Sequence, residues 1–510
     1  MPGPQVAPGP PAIIHCRLLR RNFKRRTDST DRPADLHLER YLPCFHQVSS
    51  RALKLARMQF PSDCQSTGRS GVLSDTQCKV LSEEPKDVDL CLRETLPRRM
   101  ADKLRIAIDC RITDARQGVG TAVLGLAKAL SESETTDQEY TFIVREALKG
   151  WLEPYVYGPC RLEGIPEPKF SRVKAALRRF APLRYIWGRL RDRVAPVPVS
   201  DGFIESRRFD LVHFPTQAAY LTDIPSIYQP WDLQHLHYRE FFSKAEFVQR
   251  ERGYRAFCGQ AASVCVQAKW TKWDIIEQYK IPEEKIAVIP WGSVFDAYKA
   301  PSEEQIQATT EKYGLSGMFF FYPAVTWPHK NHEVIIRALS ILKKDRGIAP
   351  HVFFSGSSTV HRSTLDKLAQ GLGITDQLHF LGFVTPEELQ AIFSTATAMV
   401  FPSKFEGFGL PILEAFHAGL PVLSSNATTL PEVARDGACY FDPDSPAELS
   451  TLMWAVLDQP KLRQDMIQRG TAVHSQYSIK DTAAMFQTLY AKTAALSLEN
   501  RQLTSASAVI

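Results

Sequence analysis

The stretch at residues 396–415 constrains the fold of this chain more than any other part of its sequence. Residues 396–401 form an apolar run typical of a buried strand, and Gly407 and Gly409 follow it. Pro411 suits the first turn of a helix, because the N–H that proline lacks would have no partner there. Strand, glycine turn and helix in this order are typical of an α/β protein with a parallel sheet.

Two carboxylates, Glu406 and Glu414, lie eight residues apart in this stretch, one before the helix and one in its first turns. The unpaired amides of a helix start favour an anion such as a phosphate. Carboxylates nearby can accept hydrogen bonds from sugar hydroxyls. The stretch therefore predicts a nucleotide-sugar site.

The alternation of strands and helices extends over most of the chain. An apolar strand at 104–109 leads into Gly118 and Gly120 and then a helix at 122–130, although this glycine pair lacks the third glycine of a dinucleotide fingerprint. We expect a tight turn or a ligand-facing loop there. Further strands are predicted at 139–144, 211–214, 226–228, 262–266, 285–290, 318–322, 352–355, 377–380, 396–401, 421–423 and 439–441.

This pattern predicts an α/β fold of two domains, each with a parallel sheet and helices on both faces. We place the first domain at 103–297 and the second at 298–475, with a helix at 476–498 that crosses back to the first domain. Ligands of such sheets bind outside the carboxyl ends of the strands.

Residues 1–99 differ in composition from the rest of the chain. They hold 17 Lys and Arg against 11 Asp and Glu, which accounts for the whole net charge of +6. Low periodicity and many Pro, Arg and Ser residues predict a disordered extension, with a targeting or nucleic-acid-binding arm as the alternative. Because Met100 runs directly into the first strand, we also expect that residues 1–99 are not native and that translation starts at Met100.

Composition excludes several classes of function for the remaining residues. Their charges balance, so we expect no nucleic-acid partner. The 10 cysteines include no CxxC pair and no zinc-like spacing, which predicts reduced thiols in a cytoplasmic protein without a metal site. No apolar run reaches the 18 residues of a membrane span.

A basic, amphipathic segment at residues 169–193 leaves two interpretations open. It carries nine Lys and Arg residues against Asp192, interleaved with apolar side chains. It is either a peripheral contact with the inner face of a membrane that carries a lipid-linked acceptor, or a solvated pair of helices on the domain surface.

The loop after the strand at 226–228 is a candidate acceptor-side or catalytic loop. It contains Trp231, Asp232 and His235. His237 follows two residues after His235, but no third ligand with suitable spacing accompanies them, so we expect no metal here.

Several motifs together resemble the retaining glycosyltransferases of family four, which have the GT-B architecture of two facing Rossmann-like domains. The strongest is the pair Glu406 and Glu414 in the context Phe-Glu-Gly-Phe-Gly-Leu-Pro. The others are Pro-His-Lys-Asn at 328–331, Phe-Leu-Gly-Phe-Val at 380–384, Gly-Leu-Pro-Val at 419–422 and Leu-Pro-Glu-Val at 430–433. The resemblance covers residues 103–495.

The resemblance implies a role for each matching residue. Glu406 would contact hydroxyls of the donor sugar, Glu414 the ribose hydroxyls, and Lys330 the diphosphate, whose departing charge it would neutralise. The backbone amides of Phe408, Gly409 and Leu410 would meet the sugar and diphosphate, and Gly118 and Gly120 would let the first domain approach the donor phosphates. The donor is a co-substrate, and no cofactor or metal is expected.

Two positions depart from the family pattern. Many members carry an arginine five or six residues before the lysine, where this chain has Val325 and Ala324. Either Lys330 acts without that partner, or another cation substitutes. Many members also carry a histidine before the acceptor-loop aspartate, where this chain has Trp231. His235 is a candidate stand-in, and Trp231 is a candidate surface for stacking on a sugar.

The resemblance favours a retaining transferase that moves mannose from GDP-mannose onto a glycan or lipid-linked acceptor in cell-surface polysaccharide synthesis. A UDP-hexose donor is the first alternative. A non-catalytic GT-B module that binds a sugar nucleotide is the second, because the expected arginine and histidine are missing.

Overall fold

Two parallel β-sheets carry the fold in this computed structural model, which describes residues 103–111, 118–134, 137–166, 196–298 and 300–507. The predictions for residues 1–99 and 169–193 lie outside these residues. The first sheet contains β1 (Leu104–Asp109), β2 (Gln138–Arg145), β3 (Cys160–Ile165), β4 (Leu211–Phe214), β5 (Ser226–Tyr228), β6 (Ser263–Val266) and β7 (Ile286–Val288). The second contains β8 (Phe319–Pro323), β9 (His351–Ser355), β10 (Leu378–Gly382), β11 (Ala398–Phe401), β12 (Val422–Ser425) and β13 (Ala438–Phe441).

Helices connect the strands and cover the sheets. They are α1 (Gly118–Ser131), α2 (Gln234–His237), α3 (Lys244–Gln260), α4 (Lys269–Tyr279), α5 (Glu303–Tyr313), α6 (His332–Arg346), α7 (Arg362–Leu372), α8 (Pro386–Thr395), α9 (Leu410–His417), α10 (Leu430–Ala434), α11 (Pro446–Asp458), α12 (Pro460–His474) and α13 (Ile479–Ser507). Pro460 ends one helical segment and opens the next, as its fixed dihedral and missing N–H predict.

Six strands of the first sheet have the same order as the six of the second, and β7 extends the first sheet. The strand orders are β3-β2-β1-β4-β5-β6-β7 and β10-β9-β8-β11-β12-β13, and every recorded strand pair is parallel. The order reverses between β1 and β4 in one sheet and between β8 and β11 in the other. Such a reversal leaves a crevice at the carboxyl ends of the strands, where ligands of α/β sheets bind.

Helix α13 packs against the first sheet although it follows the second in sequence. The hydroxyl of Tyr490 lies 2.9 Å from Nδ1 of His213 on β4, and Thr493 lies 3.1 Å from Ser263 on β6. The chain returns beside Gly292, where a Cβ atom would lie only 2.1 Å from the backbone nitrogen of Ile479. Only glycine permits this close crossing.

The sequence patterns missed one strand and four helices, of which α2 and α10 are short. Strand β3 was missed, because half-buried residues and a glycine replace its apolar alternation. Helices α3 and α5 were missed although capping boxes mark their starts, at Ser243 with Glu246 and at Ser302 with Gln305. Those Ser-x-x-Glu/Gln spacings were the signal that could have revealed both helices.

Candidate active site

The loop between β11 and α9 lies at the reversal point of the second sheet. Gly409 has a φ of 101°, which favours glycine, and it precedes the first residue of α9. The side chains of Phe408 and Leu410 are buried, which leaves only their backbone amides to meet a ligand. The amides of Phe408, Gly409 and Leu410 make no hydrogen bond within the described residues. This is the arrangement that the helix-start argument predicts for an anion.

Lys330 and Glu406 come together from the loops that follow β8 and β11. The lysine Nζ lies 2.6 Å from Oε1 of the glutamate, and the two side chains are 22% and 13% exposed. Asn331 adopts a left-handed conformation after the lysine, and its amide donates to the carbonyl oxygens of Pro402 and Pro443. The polar pair is therefore held at the sheet edge by adjoining loops.

The backbone of Glu406 is held by two threonines. Its amide donates to Oγ1 of Thr428 at 3.1 Å, and the hydroxyls of Thr428 and Thr429 lie 3.0 Å from its carbonyl oxygen. These bonds leave the carboxylate free to face Lys330.

Glu414 lies in α9 and is 8% exposed. Burial raises the pKa of its carboxyl group to about 7, against an ordinary value of 4.5. No hydrogen bond from the described residues reaches its carboxylate, so it is available to hydroxyl donors. No ion pair or hydrogen bond joins Glu414 to the Lys330–Glu406 pair among these residues.

The glycines at the start of α1 lie in the first domain. A methyl group at Gly118 would meet open space, whereas Gly120 is buried. Residues 112–117, which lead into this helix, are outside the described part of the chain.

The expectation that Trp231 stacks on a sugar is wrong. Its indole is 8% exposed, donates to the carbonyl of Pro215 at 2.9 Å and stacks on Trp291 at 5.8 Å between ring centroids. Only its backbone faces the second domain, because a Cβ atom on Gly407 would lie 2.3 Å from the Trp231 carbonyl oxygen. The φ of 70° at this tryptophan turns the ring into the core.

His235 also lies away from the reacting centre. Its side chain is fully buried, with Nε2 3.2 Å from Glu251 and 3.3 Å from the hydroxyl of Tyr279. Burial lowers the pKa of this imidazole to about 4. It is a core histidine, and the idea that it replaces the missing catalytic-loop histidine is wrong.

Asp232 does face the second domain. Its Cβ atom would lie 3.4 Å from a Cβ placed on Gly407. Burial raises the pKa of its carboxyl group, while the amide of Gln234 and the charge of Arg250 lower it. The charges of Glu406 and Lys330 also act on it, so this aspartate lies within electrostatic reach of that pair.

Arg250 on α3 is a charged residue that the sequence analysis missed together with its helix. Its guanidinium lies 4.9 Å from the centroid of the Phe242 ring and makes no ion pair or hydrogen bond within the described residues. Burial, Lys330 and Arg250 together lower the pKa of His329 to about 2. Arg250 is thus a half-buried cation whose charge reaches site residues from both domains.

Among the residues that the structure describes, no three His, Cys, Asp or Glu side chains converge as a metal ion would require. In the same part of the chain, no helix combines the length and apolar character needed to cross a bilayer.

Most of the second domain matches a known protein family. Residues 302–473, about a third of the chain, match the family described as "Glycosyl transferases group 1".

Among curated relatives, O-antigen chain mannosyltransferase B of Escherichia coli is 27% identical over 240 residues, which cover 47% of this chain and 63% of the relative. O-antigen chain mannosyltransferase RfbU of Salmonella typhimurium is 30% identical over 210 residues, 40% of this chain and 55% of the relative. The chain thus spans less than two thirds of the length of these relatives.

Solved structures with the same arrangement cover most of the chain. Anabaena Alr3699/HepE in complex with UDP and glucose has a TM-score of 0.58 at 17% identity, covering 76% of this chain and all of that structure. WaaG, a glycosyltransferase involved in lipopolysaccharide biosynthesis, has a TM-score of 0.54 at 16% identity, with coverage of 76% and 99%. At such identities the likeness shows the fold alone, and it confirms the predicted GT-B architecture.

Proposed function

Residues 302–473 belong to the glycosyl transferases group 1, and on that premise we propose that this protein is a retaining hexosyltransferase. It moves mannose from GDP-mannose onto a glycan or lipid-linked acceptor in cell-surface polysaccharide synthesis. The observation that carries the proposal is the ion pair of Lys330 and Glu406 at the reversal point of the second sheet, opposite Asp232 of the first domain.

The chemistry follows from where charge develops. The bond between the anomeric carbon and the diphosphate oxygen breaks, and its electron pair goes to the diphosphate. An acceptor hydroxyl attacks from the same face and passes its proton to the departing diphosphate oxygen. Lys330 turns from Glu406 to the departing diphosphate. The unpaired amides at the start of α9 donate hydrogen bonds to the nucleotide sugar. Fixed donors of this kind stabilise a transition state because they need no reorganisation. Glu406, released from the lysine, accepts hydrogen bonds from the sugar.

Arg250 supplies a second cation beside Lys330. It replaces the arginine that many family members carry at the positions where this chain has Ala324 and Val325. A half-buried guanidinium without a counterion is unfavourable, and an anion in the cleft would relieve that cost. Its charge already acts on His329, the neighbour of Lys330. In this proposal, the first domain provides the arginine that many members carry in the second.

The choice of mannose rests on the names of the relatives, since several are mannosyltransferases for O-antigen chains. A UDP-hexose remains the alternative donor, because structural neighbours were solved with UDP or UDP-glucose. A non-catalytic sugar-nucleotide module is the second alternative. The pairing of Lys330 with Glu406 and the unpaired carboxylate of Glu414 argue against it.

A panel of nucleotide sugars, assayed with EDTA present, tests the proposal. We expect GDP-mannose to stabilise the protein thermally and to be hydrolysed or transferred, with UDP-sugars inert. Glu406→Ala is the catalytic control and should bind GDP while losing turnover. Stabilisation by UDP-sugars alone would reassign the donor, and binding of GDP-mannose without turnover of any acceptor or water would favour the non-catalytic module. Loss of turnover in EDTA would contradict the metal-independent reaction.

The proposed location is the cytoplasm, with a peripheral contact at the inner face of the membrane through residues 169–193. Co-sedimentation with anionic vesicles tests it, with neutral vesicles as the control. Equal binding to both would contradict an electrostatic contact.

A further inference from the structure

Phe405, the residue before Glu406, inserts its side chain into the first domain. Its ring is 2% exposed although it belongs to a loop of the second domain. Three aromatic side chains of the first domain surround it, with centroid distances of 5.1 Å to His237, 5.5 Å to Trp270 and 6.0 Å to Tyr238. We call these three side chains the Phe405 pocket.

The chain shortly before and after Glu406 is also held by the first domain. The hydroxyl of Tyr238 lies 3.4 Å from the carbonyl oxygen of Lys404, and that of Thr271 lies 3.4 Å from the carbonyl oxygen of Gly407. Gly407 itself fits against the carbonyl of Trp231 with no room for a Cβ atom. The position of Glu406 is therefore determined from both domains.

Hydrogen bonds anchor part of the Phe405 pocket on the side of the first domain. Nε2 of His237 lies 2.8 Å from Oδ1 of Asp274, whose side chain is fully buried in α4. A second link joins the domains at the start of this helix, where Glu432 accepts hydrogen bonds from the amides of Lys269 and Trp270 at 2.8 and 3.1 Å. These anchored groups give the Phe405 ring a defined place.

We propose that Phe405 is a positioning residue, which couples closure of the two domains to the placement of Glu406 against the donor sugar. When the domains separate, the ring leaves its pocket and the contacts at Lys404 and Gly407 are lost. An aromatic ring of this size buries about 150–250 Å² of surface, so closure returns it to the pocket. Closure adds these contacts to the hydrogen bonds with Thr428 and Thr429, so Glu406 is fully held only when the cleft is closed, which limits reaction with water in the open state. This inference rests on the proposed transferase activity.

Transfer kinetics of Phe405→Leu test this role, with Phe319→Leu as the matched control. Phe319 is equally buried, but it is the first residue of β8 and lies at the amino ends of the strands, opposite the cleft. We expect Phe405→Leu to lower kcat at least 10-fold with the affinity for GDP within 2-fold of wild type, because Glu406 contacts the sugar and GDP lacks it. Phe319→Leu should lower Tm without this change in kcat.

Trp270→Ala removes one side chain of the Phe405 pocket, on the side of the first domain. It should reproduce the kinetic effect, and the double variant should lose little more, because contacting residues are not additive. A normal kcat in Phe405→Leu, or equal losses of kcat and GDP affinity, would overturn the positioning role.

Hydrogen exchange separates this inference from the proposed function, because it needs no turnover. In Phe405→Leu, the amides of Lys269 and Trp270 and the loop around Glu406 should exchange at least 10-fold faster than in wild type, and Phe319→Leu should leave them unchanged. Unchanged exchange in Phe405→Leu would refute the coupling even if the protein transfers mannose. Faster exchange in a protein without transfer activity would retain the coupling and refute the proposed function.

Discussion

Replacement of Glu414 by glutamine should stabilise the free protein and weaken nucleotide binding. The carboxyl group is buried without a hydrogen-bond donor, and its pKa is raised by burial to about 7 from 4.5. At about 1.4 kcal/mol per pH unit, this difference amounts to about 3 kcal/mol. That energy is the cost of ionising the buried group, and Glu414→Gln does not incur it.

The sign of the effect depends on pH. The folded protein keeps this proton between pH 4.5 and 7 while the unfolded chain releases it, so the contribution of Glu414 to the free energy of unfolding falls as pH rises through this window. The difference in stability between Glu414→Gln and wild type should be near zero at pH 4.5. It should grow to about 3 kcal/mol at pH 7 and then stay constant. For a domain of this size, that corresponds to a Tm increase of about 6–12 °C.

Thermal unfolding of both proteins from pH 5 to 8 measures this difference. Glu388→Gln is a control of opposite sign, because hydrogen bonds from Lys312 and from the Thr385 amide outweigh burial and lower the pKa of the Glu388 carboxyl group. That variant should be less stable than wild type. A pH-independent difference for Glu414→Gln, or a loss of stability at pH 8, would refute the reasoning.

Binding should change in the opposite direction. Hydrogen bonds from ribose hydroxyls to a carboxylate are worth about 1.5–3 kcal/mol each, so Glu414→Gln should weaken GDP binding roughly 10- to 100-fold. Titration calorimetry at pH 8 measures the affinity. Stabilisation without loss of affinity would show that the ribose contacts another group.

Three further substitutions test the site. Glu406→Gln should lower kcat about 10²- to 10³-fold with little change in Tm, as expected for one preorganised polar group, and steady-state kinetics would reveal a wrong assignment if kcat stayed within 10-fold. Arg250→Gln should weaken GDP binding about 10-fold with Arg250→Lys intermediate, and an unchanged Kd in calorimetry would remove the arginine from the donor site. Gly407→Ala should reduce transfer by at least 10-fold, because its Cβ meets the Trp231 carbonyl at 2.3 Å, whereas Gly371→Ala, with nothing within 4 Å, should retain normal kinetics.

Sequence patterns predicted most strands because a buried parallel strand is a short apolar run bounded by turn residues. The strands at 104–109, 211–214 and 226–228 were predicted with the bounds that the structure shows. Helix α3 escaped because its apolar residues are sparse among charges, and Arg250 escaped with it. Only the capping box at Ser243 and Glu246 marked that helix.

Side-chain direction could not be read from order along the chain. Trp231 and His235 follow a strand at the carboxyl edge of the sheet, where site residues gather, yet both side chains turn into the core. The backbone conformation at the tryptophan and the aromatic packing around the histidine decide this, and both depend on residues distant in sequence.

The sequence by itself determined the two parallel sheets and the candidate pair Glu406 and Glu414, because apolar periodicity and glycine turns act locally. Lys330 became a candidate through the resemblance to a known family. The tertiary structure decided which of these residues meet. It brings Lys330 to Glu406 across 76 positions of sequence, leaves Glu414 buried and unpaired, and seats Phe405 in the other domain. Lys330 meets Glu406 because β8 and β11 are neighbours in one sheet, whereas Phe405 meets its pocket because strand ends of the two sheets face each other. No local pattern encodes either distance.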